Sequence, residues 1–138
     1  MRVISVIVGG AILASCSAGP MPAPMRTADK EREYQMALQG KVAQKPISCL
    51  PSYRSGDMRT IDDSTILFRD GSSRVYVNNM QGGCTALGAG HYALVTRSFG
   101  GSGLCRGDIA QVVDTLNGIQ IGSCVFGDFT PYVRPKAG

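Results

Sequence analysis

Apolar residues dominate two neighbouring segments, Thr65–Arg69 and Arg74–Asn78, which four mostly polar residues separate. Both segments are rich in β-branched and aromatic residues, which favour strands. In an extended chain Ile66 and Phe68 share one face of the first segment. The loop over 70–73 opens with Asp and Gly, which suit a short turn. The pattern therefore predicts a β-hairpin.

Runs of similar length and composition predict further strands in the second half of the chain. They lie at Arg59–Asp62, Tyr92–Arg97, Ile109–Asp114, Ile119–Phe126 and Phe129–Val133. Glycine-rich segments separate these runs, as is typical of turns. We therefore expect an all-β domain, a small barrel or sandwich of six to seven short strands.

Residues 28–40 have a different pattern, which predicts one short helix before the strands. Thr27 is a suitable N-cap and Gly40 a suitable stop. Tyr34 and Leu38 lie one turn apart and can pack together. A helix of this length is marginal by itself in water, so it needs an apolar face that docks.

The N-terminal residues predict an export signal, because Arg2 precedes an apolar run that ends at Leu13. The run is shorter than the roughly 20 residues that span a bilayer, which disfavours a permanent transmembrane helix. Leu13-Ala14-Ser15-Cys16 resembles the lipobox of bacterial lipoproteins. The resemblance implies cleavage after Ser15 and diacylglycerol on the sulfur of Cys16. An unlipidated secreted protein and a retained apolar helix stay open as alternatives.

Ser17 follows the cysteine, and similarity to the sorting rule of bacterial lipoproteins implies the outer membrane rather than the inner one. Three prolines in the next eight residues predict a solvated tether. We therefore divide the chain into a signal peptide (1–15), a lipidated cysteine with its tether (16–27), a helix with a linker (28–45) and the β domain (46–138).

Four cysteines remain after Cys16, and an oxidising compartment favours two disulfides between them. They are Cys49, Cys84, Cys105 and Cys124. Sequence alone leaves three connectivities open. We favour Cys49–Cys124, which would join the start of the domain to its last strands, together with Cys84–Cys105. No C-x-x-C motif occurs and His91 is the single histidine, so we expect neither a metal nor another cofactor.

The distribution of charge along the chain limits the classes of molecule that the protein is expected to bind. The net charge is +4, and the excess lies mainly in residues 17–45, with five basic and three acidic side chains. The β domain is nearly neutral, which disfavours nucleic-acid binding, whereas a basic tether suits an anionic lipid surface. We expect a monomeric domain held on the membrane through Cys16, with a possible protein partner in the envelope.

Candidate chemistry in the domain is sparse. Asp62 and Asp63 would point to opposite faces of a strand, so a turn-capping role or pairing with Arg74 is favoured over an acid–base pair. His91 lacks a recognisable nucleophile motif such as G-x-S-x-G. We therefore predict no catalytic residue and a protein that is not an enzyme.

The domain from Cys49 to Tyr132 resembles a family of short exported proteobacterial proteins of unknown function. The matching residues are Ile61-Asp62-Asp63, Thr65-Ile-Leu-Phe68, Tyr76, Gly83-Cys84-Thr-Ala-Leu87, Leu104-Cys105-Arg-Gly-Asp108, Cys124 and Asp128-Phe129. The resemblance implies a shared disulfide-bearing β fold and no established activity.

Three functions are thus expected in order of preference. The first is an outer-membrane lipoprotein whose periplasmic β domain is a binding or accessory module. The second is a small lipoprotein inhibitor of an exogenous hydrolase such as lysozyme. The third is an envelope enzyme that acts through His91.

Overall fold

The computed structural model describes residues 26–50, 57–82, 84–97 and 103–136. The helix, α1, spans Ala28–Leu38. The strands are β1 (Val42–Ala43), β2 (Cys49–Leu50), β3 (Met58–Thr60), β4 (Thr65–Asp70), β5 (Arg74–Asn79), β6 (Tyr92–Arg97), β7 (Leu104–Cys105), β8 (Ile109–Asp114), β9 (Gln120–Val125) and β10 (Phe129–Val133). The expected signal peptide, Cys16 and most of the tether lie outside the described residues.

The strands form three antiparallel sheets, which confirms the predicted all-β class. The largest sheet has five strands in the order β1-β10-β5-β4-β3, the second has three in the order β6-β8-β9, and β2 pairs with β7 alone. All seven predicted strands have a counterpart, but the strand predicted at Arg59–Asp62 overlaps β3 only at Arg59 and Thr60, because residues 61–64 form a turn. Strands β1, β2 and β7 have two residues each, too few for a pattern of alternation to reveal them.

One face of the five-stranded sheet packs against the three-stranded sheet. The shared core includes Ile66, Phe68, Tyr76 and Phe129 from the first sheet and Ala110, Val112 and Cys124 from the second. Three phenylalanine rings meet at its centre, since the ring of Phe68 lies 5.7 Å from that of Phe129 and 6.3 Å from that of Phe126. This core holds the two sheets together.

Helix α1 covers the opposite face of the five-stranded sheet, so the predicted helix is present and docked. Ala37 is buried against Leu67, Val75 and Val77, with the Tyr34 and Leu38 side chains beside them. The five-stranded sheet is therefore the middle of three layers. Strand β4 is buried from Thr65 to Phe68 because it has a layer on each side.

The segment expected to be a linker belongs to the packed unit. Val42 and Ala43 pair with Val133 and Tyr132, which makes β1 an edge of the five-stranded sheet. The Ile47 amide also donates to the carbonyl oxygen of Phe129 at 2.9 Å. The packing thus extends well before residue 46, where we expected the β domain to begin.

The cysteines pair differently from our expectation. The disulfides are Cys49–Cys105 and Cys84–Cys124, not Cys49–Cys124 and Cys84–Cys105. Strands β2 and β7 place Cys49 directly opposite Cys105. These strands were too short to be recognised from the sequence, so the pairing that they impose was not predictable.

The junction between β9 and β10 is held by the buried side chain of Asn78. Its amide nitrogen donates to the Gly127 carbonyl oxygen at 2.8 Å, and its oxygen accepts from the Gly127 amide at 3.2 Å. A side chain at position 127 would overlap the Asn79 carbonyl oxygen, so glycine is needed for this close approach.

Candidate functional site

Arg26 joins the start of the described chain to the five-stranded sheet. Its Nε donates to Oδ2 of Asp62 at 2.6 Å, and its terminal nitrogens donate to Glu31 and Thr65 at 3.1 Å each. The guanidinium also lies 4.1 Å from the centre of the Tyr34 ring, in cation–π contact. The chain is therefore held at a defined point, one residue before the N-cap of α1.

Asp62 is buried and makes two structural contacts at once. Besides the ion pair, its Oδ1 accepts from the Ser64 amide at 2.8 Å, which closes the turn that we predicted for this carboxylate. Burial raises the pKa of Asp62, but hydrogen bonds from Arg26 and Ser64 outweigh it, so the net pKa is lower than usual. The carboxylate is thus stabilised as an anion, whereas a general acid needs a raised pKa.

Replacing Asp62 with asparagine removes the charge and retains Oδ1 for the turn. We expect a loss of about 2 kcal/mol in the free energy of unfolding at neutral pH. Because the pKa of Asp62 is lowered by folding, its charge contributes fully above the usual carboxyl range, and this contribution is lost as the pH falls below about 4. Urea unfolding of the native and Asp62→Asn proteins, from neutral to acidic pH, measures this difference in unfolding free energy.

Asp70→Asn is the matched control for that substitution. Asp70 pairs with Arg74 at 3.3 Å on an exposed part of the hairpin, so its loss should cost no more than about 0.5 kcal/mol. Two results would contradict our account. One is an equal loss of unfolding free energy for the two substitutions at neutral pH. The other is a difference in unfolding free energy between Asp62→Asn and the native chain that persists in acid. The same ion pair corrects our expectation that Arg74 pairs with Asp62 or Asp63.

A cleft of about 540 Å³ lies beside the Arg26–Asp62 contact, between the start of α1 and the turns before β6. Lys30, Asp63 and Ala89 contribute to its walls. The Lys30 ammonium donates to Glu33 and to the Thr60 carbonyl oxygen, and Asp63 accepts from the Gly88 amide. The charged groups around the cleft are thus engaged in hydrogen bonds within the protein.

The backbone beside this cleft has one unusual conformation. Ala86 has a φ of +66°. This lies in the left-handed region, which residues other than glycine and asparagine rarely adopt. Two backbone hydrogen bonds hold the turns on either side of Ala86. The Leu87 amide donates to the Cys84 carbonyl oxygen, and the Ala89 amide donates to the Ala86 carbonyl oxygen. These turns, anchored by the buried Cys84, determine where β6 begins.

His91 lies at the end of these turns with an exposed side chain. Its carbonyl oxygen accepts from the amide and the hydroxyl of Thr115, at 2.9 and 2.7 Å. In the part of the chain that the structure describes, its imidazole makes no hydrogen bond with a carboxylate. The His91 ring lies 4.4 Å from the Tyr92 ring, and its carbonyl oxygen connects the turns before β6 to the turn after β8.

The Arg106-Gly107-Asp108 turn is also occupied by structural contacts. Asp108 is buried and accepts from the Cys105 amide at 2.8 Å, and Arg106 pairs with Asp128 at 3.4 Å. The Phe126 amide donates to the Asp108 carbonyl oxygen. The turn therefore links β7 to the strand junction.

The outer face of the three-stranded sheet has an apolar surface that sequence analysis missed. Register places Val95 beside Gln111 and Ser123, and Ile109 beside Val125, all opposite the buried Ala110 and Cys124. Val95 is 43 % exposed and Ile109 45 %. A solvated sheet face normally carries polar residues, and this face differs by its two half-exposed aliphatic side chains. We call it the outer sheet face.

The turn between β8 and β9 carries two more exposed apolar side chains, and Ile121, which follows in β9, is 42 % exposed. Leu116 is 79 % exposed and Ile119 59 %. They flank Asn117-Gly118, and no charged residue occurs from 115 to 127. Apolar residues on both sides of a turn dipeptide were a signal available in the sequence. We call residues 115–119 the hairpin tip.

Neither a cluster of metal ligands nor a membrane-spanning helix occurs in the part of the chain that the structure describes. Ranges 26–50, 57–82, 84–97 and 103–136 contain no group of three His, Cys, Asp or Glu that could hold a metal ion. Within these same ranges no helix has the length and hydropathy needed to cross a bilayer.

Comparisons with protein-family models, with curated proteins and with solved structures found no match to this chain. The resemblances drawn from the lipobox and from the pattern of Cys, Gly and strand residues therefore stay predictions.

Proposed function

We propose that the protein is an outer-membrane lipoprotein whose periplasmic β domain binds an envelope protein through the outer sheet face. The observation that carries this proposal is the exposure of Val95 and Ile109 on a regular, antiparallel surface. The other large sheet differs, because α1 and the three-stranded sheet cover its two faces.

The composition of the outer sheet face suits a protein partner. Apolar Val95 and Ile109 lie among Gln111, Ser123 and Arg97 in adjacent register positions. A mixture of exposed aliphatic and polar side chains is typical of non-obligate interfaces. Such a face can supply buried area and hydrogen bonds without destabilising the unbound domain.

The lipid anchor is supported by the sequence around Cys16 and by the disulfides. Two disulfides fit an oxidising compartment. The Arg26–Asp62 ion pair fixes the domain end of the tether, so tension or motion in the tether would be transmitted to the sheet rather than to a loose terminus.

The proposal predicts a position-specific crosslink in the native envelope. A photo-crosslinking amino acid at position 109 should capture one envelope protein. The same group at Met36 should not, because that residue is 60 % exposed on α1, which lies on the other side of the five-stranded sheet. Val95→Asp should abolish the adduct. It should also weaken binding of the purified partner by at least about tenfold, as expected for loss of an interface anchor.

Three results would contradict the proposal. One is an adduct at position 109 no stronger than at position 36. Another is a captured protein whose purified form binds Val95→Asp as well as it binds the native chain. The third is an intact mass of the protein that shows no lipid on Cys16. That result would contradict the lipid anchor, although not the binding surface on the domain.

A further inference from the structure

We infer that the hairpin tip docks in the lipid interface, with the Leu116 and Ile119 side chains buried among headgroups and upper acyl chains. This inference rests on the lipid anchor of the proposed function and adds a second, independent contact between the domain and the membrane. The occupant of the hairpin tip is a bilayer surface, in contrast to the protein partner of the outer sheet face.

The first argument is that backbone amides of the hairpin tip already have hydrogen-bond partners within the protein. The amides of Thr115 and Gly118 donate to the carbonyl oxygens of His91 and Asp114, at 2.9 and 2.8 Å. The amides of Leu116 and Ile119 donate to the side chains of Asp114 and Asn117, at 2.9 Å each. An amide that enters a region poor in water must already have a partner, because losing its hydrogen bond to water costs free energy.

The second argument is the distribution of apolar and charged groups. Leu116 has the highest exposure among the large apolar side chains of the described residues, at 79 %. The nearest carboxylate, Asp114, is turned towards the backbone, because its two oxygens accept from the Leu116 amide and from the Asn117 side chain. The hairpin tip therefore presents apolar side chains without a charged group directed outwards.

The third argument is the position of the hairpin tip relative to the tether. Arg26 and Ala89 line the same cleft, and two residues after Ala89 the carbonyl oxygen of His91 binds Thr115. The hairpin tip and the point where the tether joins the domain are thus connected by one short series of turns.

Chain length makes this arrangement restrictive. Nine residues lie between Cys16 and Arg26. A fully extended chain spans at most about 3.6 Å per residue, or about 36 Å over these ten residue steps. A domain held within that distance of a bilayer experiences a high effective concentration of lipid. A contact too weak to recruit a dissolved protein can therefore hold an anchored domain in one orientation.

The chain has no tryptophan, so a single tryptophan can report the depth of the hairpin tip. The experiment uses the mature lipidated protein in vesicles of phosphatidylethanolamine and phosphatidylglycerol, some with bromine on the upper acyl chains. We expect brominated lipid to quench the fluorescence of Leu116→Trp at least twofold more than that of Met36→Trp, since Met36 is exposed on α1.

A second measurement separates the hairpin tip from the anchor. Cys16→Ala protein without lipid should bind the same vesicles weakly, and adding Leu116→Asp should lower that partitioning by about tenfold or more. Leu116 is 79 % exposed, so Leu116→Asp leaves the buried core unchanged. Partitioning of the unanchored chain therefore tests the hairpin tip even if the intact mass shows no lipid on Cys16.

Two outcomes would overturn the inference while leaving the lipid anchor intact. If water-soluble quenchers reach the indole of lipidated Leu116→Trp as readily as that of lipidated Met36→Trp, the hairpin tip does not dock. If the indole of Leu116→Trp is shielded from water but not quenched by brominated lipid, a protein or a second copy of this chain covers it instead. Absence of lipid on Cys16, by contrast, contradicts the proposed function alone.

Discussion

Replacing both Cys84 and Cys124 with alanine should lower the free energy of unfolding by more than about 4 kcal/mol, because a lost chain constraint and a void in the core add together. The disulfide closes a loop with a sequence separation of 40 residues, and the loss of that constraint on the unfolded chain accounts for about 3.9 kcal/mol in the chain-entropy estimate. Both sulfurs also lie in the core, with Cys84 0 % and Cys124 2 % exposed. Urea unfolding followed by far-UV circular dichroism measures the difference.

The other disulfide is the matched control for this prediction. Cys49–Cys105 closes a longer loop, with a separation of 56 residues, but Cys49 is exposed and Cys105 half-buried. Its double alanine variant should lose a similar entropic contribution without leaving a void among apolar side chains. If removing Cys84–Cys124 costs less than removing Cys49–Cys105, the core position of the former does not matter as we propose.

Truncating Phe129 should have an effect of similar size. The side chain is fully buried in the central part of the five-stranded sheet, and its ring lies 5.7 Å from that of Phe68 and 6.1 Å from that of Phe126. Phe129→Ala should therefore destabilise the protein by about 3–5 kcal/mol. The midpoint of urea unfolding, at an unchanged slope, gives this value.

Phe129→Leu is the conservative comparison, because it retains an apolar side chain in the same space. We expect it to recover more than half of the loss. A Phe129→Ala protein with a nearly native midpoint would show that the two sheets do not depend on the aromatic cluster. Truncating an exposed side chain of the hairpin tip, Leu116, should change stability by no more than about 0.5 kcal/mol.

The two proposed contact surfaces have different relations to this core. Val95 and Ile109 lie on the outside of strands whose inner residues, Ala110 among them, pack against the phenylalanine cluster. The hairpin tip projects from the same strands. A stable core is therefore needed to present both surfaces, yet neither surface contributes much to stability. Variants at these positions can test binding without unfolding the domain.

The fold class and seven strands could be predicted from the sequence because most of those strands contain several residues of high β propensity. The helix was predictable for a similar reason, since its capping residue, Thr27, directly precedes it and binds the Lys30 amide. The turn role of Asp62 also followed from local chemistry, because the Ser64 amide lies only two residues away.

The disulfide pairing, the role of Arg26 and the outer sheet face could not be predicted in this way. Cys49 meets Cys105 through two strands of two residues each, and Arg26 meets Asp62 across a sequence separation of 36 residues. Ile109 and Val95 resemble core residues in the sequence, because apolar character shows only that a side chain favours burial. It does not show which side of a sheet another layer will cover.

The sequence by itself thus determined which segments are strands, where the helix begins and that four cysteines are available to form two disulfides. These properties depend on residues that are neighbours along the chain. Only the tertiary structure decided which cysteines pair, that the helix covers one face of the five-stranded sheet, and which aliphatic side chains stay exposed. Those properties depend on how layers far apart in sequence pack, because burial of one face leaves another open to solvent.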